Sequence, residues 1–361
     1  MAKKLFVYLL SIVSVFTIGV NLIYGEETLV FCDDTYNASA LSISPDGKPI
    51  RKELMKGLSC SSITRSGYFT TSEGGLGNRT WYKGRIDSSL NITKQVLPSI
   101  PPGASRVTIS EDGKRIAWKT GESYRKSELT IEEYNGSESK VLRKISVDGM
   151  IPNFSWSPNS DLLAYFWGPP EAHLDDGFSL MLIDMKNPEK PPLEIAPPSF
   201  GIGVRLNPGR SIAPEWSPDG KFIRFEARYR SISRDEKNPF SDWFYMVSLD
   251  GRTLVSCKDT TLCFQAPLRL EQIGNYDSDK FIIVETDAIS KKEKRDSDNI
   301  LKILSRIPSL SPSGKKVAYD TNNEIFIYDV EKKITLSYGS GERPSSTMNG
   351  YFGFFWITPK D

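Results

Sequence analysis

One short pattern recurs along the chain, and it limits the possible folds more than any other feature. In "PEWSPDGKFIRFEAR" (214–228), Ser217-Pro218-Asp219-Gly220 separates two runs rich in strand-forming residues. Proline fixes φ, aspartate accepts hydrogen bonds from nearby backbone N–H groups, and glycine takes a positive φ, so the stretch reads as strand, tight turn, strand. Related turns follow with Ser44 in "LSISPDGKPI", Ser110 in "VTISEDGKRIAW", Ser157 in "FSWSPNSDLLAY" and Ser311 in "PSLSPSGKKVAY". Degenerate copies place Tyr276 in "GNYDSDKFIIV" and Thr64 in "SSITRSGYFTT". A third strand then ends near an aspartate, as in "LMLIDM" (180–185), "FYMVSLDG" (244–251) and "IFIYDV" (325–330), and a short fourth strand such as "TLVS" (253–256) follows.

Four antiparallel strands repeating every roughly 40–50 residues are the blade of a β-propeller. A lone four-stranded sheet cannot bury both faces, whereas radially packed sheets cover one another. Helical periodicity is almost absent between the turns, which argues against an α/β fold. The C-terminal "GYFGFFWITPKD" reads as an innermost strand without its outer partners. "TLVF", "ALSIS" and "PIRKEL" near the N-terminus supply them, so the two ends are expected to share a blade and remove open sheet edges. Seven blades average about 48 residues after a 25-residue leader, whereas six need longer loops, so the reading is seven blades with six as the alternative.

The string "WSPDGKxIxF…IYxxD" resembles the repeat of TolB-type, WD40-like β-propellers, also found in the propeller domains of prolyl oligopeptidase relatives. The copies at Ser157, Ser217 and Ser311 match best, and the resemblance covers most of residues 28–361. It implies the propeller fold. It carries over neither a Tol–Pal role nor a protease activity, because the repeat serves unrelated functions.

Residues 1–25 read as a signal peptide, and 26–361 as one propeller domain. Lys3 and Lys4 precede the apolar run 5–20, and Gly25 ends a short polar segment. That run is short for a bilayer span, so cleavage is expected over retention as an anchor, with no stable membrane insertion afterwards. The expected location is periplasmic or extracellular. In an oxidising compartment four cysteines suggest two disulfides, and proximity favours Cys257–Cys263 and Cys32–Cys60. A formal charge of +1 supplies no global field for nucleic acid.

The first-to-second turns are short and repeated, whereas the second-to-third loops differ. "GPPEAHLDDG" (168–177), "YRSISRDEKNPFSD" (229–242) and "AISKKEKRDSDN" (288–299) are long and individual, the usual setting for binding. Candidate binding residues are Arg228, Tyr229, Arg230, Arg234 and Trp243 around one loop, and Lys291, Lys292, Lys294 and Arg295 in the next. Together they would form a basic patch for an anionic partner. His173 is the only histidine, with Glu171, Asp175 and Asp176 nearby, and neither a metal nor a cofactor is expected. A Ser-His-Asp hydrolase would have to use that one residue, and no G-x-S-x-G elbow occurs. Sequons begin at Asn37, Asn78, Asn91, Asn135 and Asn153. The expected function is an exported, monomeric, non-catalytic propeller that binds a protein or envelope component. The alternative is a carbohydrate-active or other hydrolase using carboxylates at the channel mouth.

Overall fold

The computed structural model describes residues 27–32, 38–43, 49–58, 62–75, 77–121, 125–136, 138–170, 178–197, 213–217, 219–227, 243–252, 254–257, 268–272, 280–286, 293–295, 301–302, 309–311, 313–321, 324–340 and 354–359. Their strands form seven sheets, and no α-helix occurs among them. Sheet 1 joins β27 (Phe354–Ile357), β1 (Thr28–Cys32), β2 (Ala38–Ile43) and β3 (Pro49–Met55). Sheet 2 contains β4 (Tyr68–Glu73), β5 (Thr80–Ile86) and β6 (Ile92–Val96), and an isolated bridge from Ile63 to Phe69 stands where a first strand would lie. Sheet 3 contains β7 (Ser105–Ile109), β8 (Arg115–Thr120), β9 (Lys126–Asn135) and β10 (Glu138–Asp148). Sheet 4 contains β11 (Phe154–Trp156), β12 (Leu162–Trp167), β13 (Ser179–Asp184) and β14 (Leu193–Ala196). Sheet 5 contains β15 (Glu215–Trp216), β16 (Phe222–Ala227), β17 (Trp243–Ser248) and β18 (Leu254–Cys257). Sheet 6 contains β19 (Leu268–Gln272), β20 (Lys280–Thr286), β21 (Glu293–Arg295) and β22 (Leu301–Lys302). Sheet 7 contains β23 (Ser309–Leu310), β24 (Lys316–Thr321), β25 (Glu324–Asp329) and β26 (Ile334–Ser340).

Every strand pair is antiparallel, all sheets but sheet 6 are simple meanders, and in sheet 1 the last described strand pairs with the first. Thr28 pairs with Ile357, Leu29 with Trp356, Val30 with Phe355 and Phe31 with Phe354. Apolar clusters bridge successive sheets. Leu29, Phe31 and Trp356 meet Ala318, Ile325 and Ile327 between sheets 7 and 1. Val30, Ala40 and Ile357 meet Phe69 and Ile86 between sheets 1 and 2. Further clusters join sheets 2 and 3, 3 and 4, and 4 and 5. Strand alternation explains this: each strand sends successive side chains to opposite faces, and in sheets 1 to 4 both faces are covered by neighbours. The chain is an all-β propeller.

The first strands of adjacent sheets also touch through tryptophans. Trp156 donates its indole N–H to the Thr108 carbonyl at 3.5 Å, Trp216 to that of Ser155 at 3.3 Å and Trp356 to that of Ser309 at 3.3 Å. In sheets 4 and 5 the residue before the repeated turn thus fastens one inner strand to the preceding one, and Trp356 does the same for sheet 1.

The repeated turn is explained by its hydrogen bonds. Ser217 is buried; its Oγ donates to Asp219 Oδ1 at 2.6 Å and accepts the Phe222 N–H at 3.0 Å. Asp219 Oδ1 accepts the Lys221 N–H at 3.1 Å, and Gly220, at φ 69°, donates to the Ser217 carbonyl. Ser110 with Asp112, and Ser157 with Asn159, repeat the arrangement. Each such bond contributes about 1 kcal/mol net, and an orphaned buried N–H costs more. The turns also hold one another. Glu111 accepts the N–H groups of Arg65 and Ser66, and Thr358 donates to the Arg65 carbonyl at 2.8 Å. Ser160 replaces the usual glycine at φ 62° because its hydroxyl accepts the Asp112 N–H of the neighbouring turn at 3.0 Å.

The copy "LSISPDGKPI" lies between β2 and β3, the third and fourth strands of sheet 1, as the shared blade requires. Ser248-Leu249-Asp250-Gly251, between β17 and β18, uses the same bonds in the same place, so the motif marks a tight turn rather than a position in the blade. One expectation is corrected: 288–299 is not wholly a loop. Residues 293–295 form β21, with Lys294 opposite Glu285 and Arg295 opposite Val284. β22 pairs with the same strand further along, with Leu301 opposite Phe281, so β21 and β22 both lie along the edge of β20 away from β19.

Candidate functional site

The meander sends its connections to two rims. First-to-second and third-to-fourth turns emerge on one, and their polar groups are occupied by the bonds described above. Second-to-third connections and those between sheets emerge on the other. There the lengths are unequal. Residues 33–37, 121–125 and 322–323 are short links between second and third strands, whereas 168–178 and 228–242 are long. Residues 197–214 form a further long link between β14 and β15. The strands that these three connections join, β12 to β17, belong to sheets 4 and 5.

The described mouth of this rim is cationic at sheet 3. Arg106 sits at φ 53°, and the β7–β8 register shifts between Ser105 and Thr108. A bulge with a positive φ on a non-glycine residue re-aims a side chain at a cost of about 1–3 kcal/mol. Lys119, opposite Ser105 on β8, is half-buried. Burial lowers its ammonium pKa and the neighbouring Arg106 guanidinium lowers it further, while no carboxylate among the described residues forms an ion pair with it. At sheet 5 the charges are matched: Arg224 donates to the Glu215 carboxylate across the β15–β16 pair.

The residues expected to form the basic patch divide as follows. Arg228, Tyr229, Arg230, Arg234, Lys291 and Lys292 lie outside the described residues, as do His173, Cys60 and Cys263. Trp243 is not a loop residue: it opens β17, opposite Ala227, because the third strand begins there. Lys294 and Arg295 belong to β21, where Arg295 is exposed. Cys32 ends β1 and Cys257 ends β18. Asn153 is buried, 3% exposed, and its carbonyl accepts the Phe166 N–H, so this sequon is closed in the folded chain. Arg106 and Lys119 escaped sequence reasoning because their turn motif lies at the opposite rim; the signal is a bulge, visible only in strand register. No group of three or more His, Cys, Asp or Glu suited to a metal occurs among the described residues.

No protein-family model matches the sequence, and no curated protein matches it. Solved structures resemble it at the level of fold. A protein described as a 6-phosphogluconolactonase from Bacteroides uniformis ATCC 8492 is 11% identical over 92% of this chain and 100% of its own, with a TM-score of 0.49. The tricorn protease is 12% identical with a TM-score of 0.46; 88% of this chain is covered, spanning only 33% of the protease chain. A protein described as TolB from Agrobacterium tumefaciens is 13% identical over 93% of this chain and 94% of its own, with a TM-score of 0.35. Those likenesses carry no functional argument, and the β-propeller assignment stands on the strand pairing of the chain itself.

Proposed function

We propose that the protein is an exported TolB-type propeller of seven blades that binds a protein or envelope component, without catalysing a reaction, through its long-loop rim. The observation that carries this reading is that three long connections, 168–178, 197–214 and 228–242, are rooted in the strands of two consecutive sheets. Rigid sheets hold the roots of these segments, which is how binding loops are usually presented. The half-buried Lys119 beside Arg106 favours an anionic partner on the neighbouring arc. Exposed charges contribute little singly, so several must converge.

The test is capture from an envelope extract at graded salt, with a glycan array beside it. Replacing Arg228, Arg230, Arg234, Lys291 and Lys292 with Ser should weaken capture and flatten its salt dependence while the melting temperature stays unchanged. Equal capture by the variant at low salt would remove the loops from the site. Turnover of a glycan by the unmodified protein would favour a hydrolase instead.

Export is part of the same proposal, with cleavage near Gly25 and disulfides 32–60 and 257–263. The second closes a short loop and is expected to contribute roughly 2–3 kcal/mol. Thiol titration of denatured, unreduced protein from the secreted fraction should find no free thiol, and four titrating thiols would refute both pairings.

A further inference from the structure

We propose that a groove between sheets 2 and 3, away from the long-loop rim, binds a small oxyanion: the carboxylate or phosphate group of a compact molecule. The cavity volume is about 310 Å³, and Tyr68, Lys83, Arg85, Thr93, Gln95 and Gly113 are among the residues that line it. Strand register assembles the wall. Tyr68 lies opposite Arg85, Lys83 opposite Gln95 and Arg85 opposite Thr93, so these side chains share the face of sheet 2 that meets sheet 3. Contacts across the interface agree: Thr70 donates to the Val107 carbonyl at 2.8 Å, and Gln95 Nε2 to that of Gly136 at 3.3 Å.

The two cations are held in place by rings. Lys83 Nζ lies 4.7 Å from the centroid of the Tyr134 ring, and Arg85 Cζ lies 5.4 Å from that of Tyr68. Tyr68 is itself positioned by Gly113, where a Cβ would meet its ring at 2.4 Å. Lys83 is half-buried, burial lowers its pKa, and no carboxylate among the described residues forms an ion pair with it.

Four described acids of the surrounding strands and turns are engaged elsewhere. Buried Glu132 accepts from Ser99 at 2.6 Å and Tyr134 at 2.8 Å, and Glu73 pairs with Lys94 at 2.5 Å. Glu111 and Asp112 accept hydrogen bonds within and between the turns. A partly desolvated ammonium lacking a counter-charge is costly, and an entering oxyanion supplies that charge. The lysine acts as a point charge toward such an anion.

The experiment is thermal unfolding and calorimetric titration with inorganic phosphate and, separately, acetate, against chloride at equal ionic strength. One or both should raise the melting temperature of the unmodified protein and of Lys140→Met, a control at an exposed position on β10. A response to phosphate alone assigns a phosphate group, and to acetate alone a carboxylate. Lys83→Met should weaken binding at least about tenfold, the value of one charge-assisted hydrogen bond. Its melting temperature without anion should not fall, because a desolvated charge has been removed. Arg85→Gln should weaken binding likewise. Protection of Lys83 from amine acetylation by the same anion tests the site without any substitution. No anion response in the unmodified protein, an equal response in Lys83→Met, or acetylation of Lys83 unaffected by anion would overturn the proposal.

Discussion

A chain ended before Phe354 is expected to lose its single cooperative unfolding transition. β27 is the first strand of sheet 1 and pairs along β1 from Thr28 to Phe31. Without it, β1 has an open edge, and Leu29, Val30 and Phe31, each at most 1% exposed, lose their cover. Ile357, fully buried between sheets 1 and 2, and Trp356, fastened to Ser309, go with it. Trp356→Ala alone should cost about 3–5 kcal/mol, a large share of the 5–15 kcal/mol that holds an ordinary domain together. Circular dichroism through a urea titration reads the outcome. The shortened chain should show a broad transition at low urea, or aggregate through its exposed edge. A sharp transition at the unmodified midpoint would mean that shared-strand closure contributes nothing to stability.

Gly84→Ala is expected to be nearly as damaging, although it adds one methyl group. A Cβ at this position would lie 2.2 Å from the tip of the Phe69 ring and 2.6 Å from the Thr93 carbonyl oxygen. Phe69 is fully buried among Val30, Leu58, Ile86 and Ile357, so its ring has no empty space to enter. The carbonyl belongs to the adjoining strand and moves only with the sheet. The expected loss is about 3 kcal/mol, the upper part of the overpacking range. Urea midpoints measure it, and Phe69→Leu added to Gly84→Ala should recover part of the loss by withdrawing the ring atoms. An unchanged midpoint for Gly84→Ala would show that sheets 1 and 2 pack more loosely than the contacts imply.

The two substitutions differ in how visible they are from sequence. Shared closure was legible because "GYFGFFWITPKD" has the features of an inner strand and "TLVF" those of the strand beside it. Gly84 carries no such mark: "YKGRI" reads as an ordinary strand with one weak residue, and only the facing Phe69 shows why glycine is required. The basic run 291–295 was legible as charge but not as shape. Its last two members are drawn into β21 by backbone pairing with Val284 and Glu285, which their side chains do not advertise.

Sequence by itself determined the strands, their tight turns and the four-strand repeat. Those depend on local chemistry: alternation along a strand, a fixed φ at proline, a positive φ at glycine, and a serine hydroxyl within reach of an N–H five residues on. Tertiary structure decided everything that needs two distant segments at once. It placed Trp356 against Ser309 and set Lys83 over the ring of Tyr134. A charge or a ring says what it can bind, but its desolvation and its neighbours depend on which blade lies beside it. That adjacency arises from packing whole sheets face to face, and no local run of residues encodes it.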